Sequence, residues 1–136
     1  MSGSGAGSPL NVFRETLPEN CPAEKDAKEI TGPLVVYRLV ASDVPCEADF
    51  DSHQKKKPDH VYPDPCSFCS VSVYTNRATA VNQSLSARFR KLGLTRICRV
   101  ELTAGAGMMD AGQSNGHRQW WPYKNYDILS RCEVEA

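Results

Sequence analysis

The chain has 136 residues, and its 16 Lys+Arg are matched by 16 Asp+Glu, so the formal net charge is zero. A chain of this size is expected to form one domain, with or without a tail. A neutral balance supplies no long-range field for nucleic acid or an anionic membrane. No apolar run approaches the ~20 residues needed to cross a bilayer, so no membrane partner is expected.

The first residues, MSGSGAGSPL, lack both the basic and the apolar region of a secretory signal, which points to a cytoplasmic location. Six cysteines would permit a disulfide framework in a secreted chain, but without a signal reduced thiols are the default. Residues 1–33 are rich in Gly, Ser, Pro and charge and show no convincing period, although 23–30 could form a helical turn or two. They are expected to be a flexible tail, followed by a single α+β domain over 34–136.

The run LVVYRLV (34–40) follows Gly32 and Pro33 and is β-branched and aromatic. It predicts a central strand covered on both faces. Arg38 interrupts it and needs a partner or a cleft, because an unpaired buried guanidinium is costly. Residues 41–69 could hold a short helix near Ser42 to Pro45. Pro58, Pro63 and Pro65 then argue against regular structure. SVSVYT (70–75) alternates Ser70, Ser72 and Tyr74 with Val71 and Val73, which is the period of a strand.

Ala78, Val81, Leu85, Phe89 and Leu92 recur at helical spacing, with Thr75 or Asn76 as the cap and Gly93 beyond the end. This predicts one main helix over about 76–92. TRICRVEL (95–102) and YDILSRCEVE (126–135) read as strands, with Cys98 and Cys132 as small core residues. Between them lies a long Gly/Trp-rich loop that ends in GHRQWWPY. The sum is an α+β fold with a small mixed sheet of about four or more strands.

Three groups of residues carry chemistry. His53, His60, Cys66 and Cys69 fall within a proline-rich stretch, and PCSFC is a C-x2-C. Thiolate and imidazole suit tetrahedral zinc, which could order a segment with little apolar content. The alternative is two loop histidines and two ordinary cysteines. A redox role does not fit a C-x2-C that precedes a strand.

The second group is Arg38, Ser70 and Ser72, and the pair Glu133 and Glu135, each on a predicted strand. In that order they resemble the Arg–Ser–Glu constellation of ADP-ribosyltransferases. The resemblance implies an NAD site in which Arg38 holds a phosphate or ribose, Ser70 or Ser72 steadies the cleft, and Glu135 orients the ribose for transfer. The alternative is solvated strand faces, with Arg38 paired to a glutamate.

The third group is the loop itself. Trp120, Trp121 and Tyr123 offer aromatic surface suited to a flat ring or a protein partner. Arg118 could bind a ligand, and His117 could act as an acid or base near neutral pH. The alternative is that the aromatics close the core as a lid.

Two functions follow as expectations. The first is an enzyme with a nucleotide-type ligand in a cleft between the first strand and the 103–125 loop, with Arg38, His117 and Glu135 as the catalytic set. The second is a non-catalytic protein- or peptide-binding module with a zinc-ordered Cys/His loop. The basic runs Lys55 to Lys57 and Arg88 to Lys91 are read as solvated surface, so nucleic acid is not expected.

Overall fold

The computed structural model describes residues 12–112 and 114–135; the expected tail's first residues, 1–11, lie outside them. Seven strands form one sheet: β1 (Lys28–Glu29), β2 (Leu34–Val40), β3 (Val71–Tyr74), β4 (Arg96–Leu102), β5 (Gly107–Met109), β6 (His117–Pro122) and β7 (Cys132–Val134). Their spatial order is β1-β5-β6-β3-β2-β4-β7. Four short helices accompany it: α1 (His53–Lys56), α2 (Pro65–Phe68), α3 (Arg77–Ser84) and α4 (Ala87–Lys91).

The α+β class stands, but the sheet is antiparallel throughout the described residues rather than mixed. The helical connection carries the chain from β3 to β4, which run in the same direction. β2 lies between them and pairs antiparallel with each, so no parallel ladder forms.

β2 is central and covered on both faces, as its composition predicts. On one face Val36 and Val40 join Val71, Val73, Val100, Leu102 and Trp120 in the main core, closed by Phe50 and Ile128. On the other, Leu39 and Tyr74 pack with Ala80, Phe89 and Leu94 beneath α3 and α4. Cys98 is fully buried in the main core, and burial pushes its thiol up to about 12. It and half-buried Cys132 are core residues, as expected.

The single helix over 76–92 is corrected to two. Asn76 caps α3 by accepting from the amides of Ala78 and Thr79, as expected. Ser86 then accepts from the Phe89 amide and starts a new N-terminus, which resets the helical phase and leaves Leu85 exposed. Gly93 does end α4: at φ +75° it lets the Gly93 and Leu94 amides bond back to Arg90 and Phe89.

Three other expectations change. Residues 12–33 are not a loose tail. Phe13, Leu17 and Cys21 pack around Trp121 and Cys66, and β1 pairs with β5. Arg14 donates to the carbonyls of Phe50 and Glu47, while Glu15 accepts from the Ser52 amide. The last strand is confined to Cys132–Val134, because Asp127 holds a turn through Ser130 that runs into a 3-10 segment.

Finally, GHRQWWPY is no loop. It is β6, paired with both β3 and β5. Its tryptophans alternate across the sheet, Trp120 into the main core and Trp121 into the smaller one on the opposite face.

Cys21 and Cys66 form a disulfide, against the expectation of reduced thiols, with Cα atoms 5.5 Å apart and a sequence separation of 45. The bond ties the N-terminal segment to α2. The prolines around α2 do not exclude local order: Pro65 occupies the first helical turn, where its missing N–H costs nothing.

Candidate functional site

Arg38 stands where the sheet opens. β2 and β3 share a single register pair, Tyr37 with Tyr74. The guanidinium fills the gap beyond it: Nη1 donates to the Ser72 carbonyl at 2.8 Å and Nε to the Asp49 carbonyl at 2.7 Å. The partners that a central-strand arginine requires are therefore backbone carbonyls rather than a glutamate. Nη2 has no hydrogen-bond partner among the described residues.

A cleft of about 180 Å³ opens beside this group. Arg38, Ser70, Ser72, Tyr74 and His117 form its interior, and His53, Lys56 and Arg88 stand exposed at its rim. Leu39, Phe89, Leu92 and Leu94 give it an apolar wall. His117 reaches the cleft because β6 pairs with β3. It lies opposite Tyr74, with ring centroids 5.5 Å apart. His53 reaches it from α1, whose N-cap Ser52 is held by Glu15.

The field in the cleft is cationic. Burial brings the Arg38 pKa down to about 10 against the pull of Asp49, so it stays charged at neutral pH. His117 is lowered from its ordinary value by burial, with Asp110 pulling the other way. His53 is lowered by burial first and then by Lys56, Arg38 and Arg88. Both imidazoles are therefore neutral at pH 7. Asp51 is the carboxylate in the lining, and it is engaged by Arg14 at 3.2 Å and Lys55 at 3.6 Å.

Family models, curated proteins and solved structures contain no match to this chain.

The placement of each expected residue follows from the register. Arg38, Ser70, Ser72 and His117 share the cleft, which is the juxtaposition expected of the first strand and the 103–125 segment. The segment delivers His117 by joining the sheet, not by folding over it. Glu135 is elsewhere: it follows β7, beyond β4, and its carboxylate binds Arg77 at 2.7 Å. Glu133 pairs with Arg99 in the β4–β7 register and is also outside the cleft.

Arg118 follows His117 on a strand and so faces the other side of the sheet, opposite Val73. Its Nη1 donates to the Asp110 carbonyl at 3.1 Å. Its stem lies where any side chain at Gly112 would collide, 2.3 Å from an added Cβ.

Trp120 and Trp121 are fully buried, and their indole N–H groups donate to the carbonyls of Ala106 and Cys66. Tyr123 is buried and donates to Glu29 at 2.6 Å, and burial raises its pKa. These aromatics close the core, as the lid alternative held, and present no ligand surface.

The zinc set is not assembled, because the Cys66 sulfur is bonded to Cys21. Cys69 is a buried thiol whose pKa is raised by burial, and exposed His60 stacks against Tyr62. No group of three or more metal-ligating side chains exists among the described residues.

Lys56, Arg88 and Tyr74 are among the cleft residues that carried no functional reading in the sequence. The signal was present in the basic runs Lys55 to Lys57 and Arg88 to Lys91, each of which places one cation at the rim.

Proposed function

We propose that the cleft binds a small phosphate-bearing, nucleotide-type ligand. The observation that carries this reading is the sharing of one cleft by the Arg38 guanidinium and two neutral imidazoles, with an apolar wall beside them. A guanidinium matches phosphate oxygens with directed donors, and Lys56 and Arg88 add charge at the mouth. Phe89 and Leu92 give a base or sugar an apolar seat.

Size limits what is enclosed. The cleft's 180 Å³ is below the ~300 Å³ at which drug-sized sites begin, so a phosphate and its sugar fit inside while the base lies on the rim.

ADP-ribosyl transfer remains an expectation of the resemblance, supported by Arg38, Ser70 and Ser72 in one place. Its carboxylate, Glu135, is committed to Arg77, so the reading here is of a phosphate-ester site and not of that transfer. The Cys21–Cys66 disulfide supports an oxidising compartment over the cytoplasm.

Thermal melting with inorganic phosphate, adenosine monophosphate and NAD tests the reading. A ligand that binds only the folded chain raises stability by roughly 2.7 kcal/mol at a hundred times its Kd. No rise in Tm with any of the three at millimolar concentration would remove it.

A further inference from the structure

Resting on the phosphate-site reading above, we infer that His53 and His117 form an acid–base pair that cleaves single-stranded RNA by attack of its own 2′-hydroxyl on the adjacent phosphorus. The two imidazoles come from unrelated segments, α1 and β6, and converge on the cleft that holds Arg38.

The cations favour a polymer over a mononucleotide. Arg38 is half-buried, whereas Lys56 and Arg88 stand exposed at the rim on separate segments. One phosphate in the cleft leaves its neighbours along a chain within the field of the other two. Phe89 and Leu92 on the apolar wall offer a seat at the rim to an unstacked base, which a single strand can supply.

Proton transfer has few alternatives here. The carboxylate in the lining, Asp51, is engaged by Arg14 and Lys55, and burial raises the Tyr74 phenol further above neutrality. Burial lowers His53 first, and Lys56 and Lys57 from its own segment, Arg38 from β2 and Arg88 from α4 add to it, which keeps the ring neutral and fit for a base. His117 faces Tyr74 from β3 and the carboxylate of Asp110; burial lowers it overall in the empty cleft, and the negative charge of a bound phosphodiester, added to Asp110, supplies the pull that protonates it as the acid.

The step balances. His53 takes the 2′-hydroxyl proton, the O2′–P bond forms, and the P–O5′ bond breaks. His117 gives its proton to the departing 5′ oxygen, and Arg38 offsets the charge that builds on the non-bridging oxygens. The products are a 2′,3′-cyclic phosphate and a 5′-hydroxyl, and neither water nor an electron acceptor is consumed.

The test uses the full chain, a fluorescein-labelled RNA oligonucleotide of mixed sequence, and its DNA counterpart. Products are read on a gel and by mass spectrometry. The expected result is cleavage of RNA with cyclic phosphate ends and intact DNA. Replacing either catalytic histidine (H53A or H117A) should lower kcat/KM by about 100-fold or more. Both variants should keep the parent circular dichroism, so that the loss of rate is not a loss of fold. H60A, which alters a ring against Tyr62 outside the cleft, should leave the rate unchanged.

RNA left intact while phosphate still raises Tm overturns this inference alone. Intact RNA with no phosphate effect overturns the ligand reading with it. Cleavage of DNA, or a rate that survives both histidine variants, also overturns it.

Discussion

Replacing Cys21 and Cys66 together by Ser should destabilise the chain more than any surface change. The bond closes a loop with a sequence separation of 45, and the chain-entropy relation for a loop of that length gives about 4 kcal/mol at 25 °C. With the unfolding entropy expected for a chain of this size, each kcal/mol moves Tm by roughly 3–4 °C, so Tm should fall by roughly 12–16 °C. The effect should be local as well. Cys66 accepts the Trp121 indole hydrogen bond, and the same short helix leads through Ser67, whose carbonyl holds the Ser70 hydroxyl at the cleft. Near-ultraviolet circular dichroism should therefore lose intensity before the far-ultraviolet signal does.

Differential scanning calorimetry of parent and double variant measures the first quantity. A thiol titration in denaturant checks the bond itself: of six cysteines, four should react without reductant. Six reactive thiols in the parent, or a double variant that melts within about 2 °C of it, would refute the reasoning.

Arg38→Met should abolish the rise in Tm produced by phosphate. It should cost only about 1–3 kcal/mol in urea unfolding, because two charged hydrogen bonds are lost together with a half-buried charge. Stability should also fall as pH drops below about 6.5. His53 and His117 are both lowered in the fold, so the unfolded chain takes up protons first and gains on the native state as pH falls from the unfolded pKa toward the folded ones. His117→Gln should flatten that decline, as Tm measured between pH 5 and pH 8 would reveal. Glu135→Gln breaks a pair whose arginine is 56 % exposed, so it should change stability by less than about 1 kcal/mol. It should also leave phosphate binding intact in the same titration; a lost Tm rise would restore Glu135 to the site.

Local signals were legible where one chemical reason acts alone. The LVVYRLV run became a strand over its full length because β-branched side chains with no polar face have only a sheet interior to occupy. Gly93 ended a helix because its positive φ suits a residue without Cβ. The alternating Val71 and Val73 went inward and Ser70 and Ser72 went to the cleft, as period two requires.

Misreadings arose where a local pattern had two outcomes. GHRQWWPY reads as a loop because Gly116 and Pro122 weaken strand propensity, although its two tryptophans favour a strand. It became β6 because each indole finds an apolar layer on its own face of the sheet. The helical spacing through Leu85 continued on paper, but the Ser86 hydroxyl stopped it.

Sequence alone determined which residues are apolar, which segments could alternate, and that a guanidinium sits inside an apolar strand and needs company. Tertiary structure decided what that company is. Whether β6 pairs with β3, and whether β2 and β3 part beyond Tyr37, depends on contacts between residues dozens of positions apart. Those contacts put His117, His53 and Arg38 on the lining of one cleft, sent Arg118 to the opposite face, bonded Cys66 to Cys21, and left Glu135 beyond β4 with Arg77. A strand's pattern says that neighbouring residues face opposite ways; only its neighbour in the sheet says which way is the cleft.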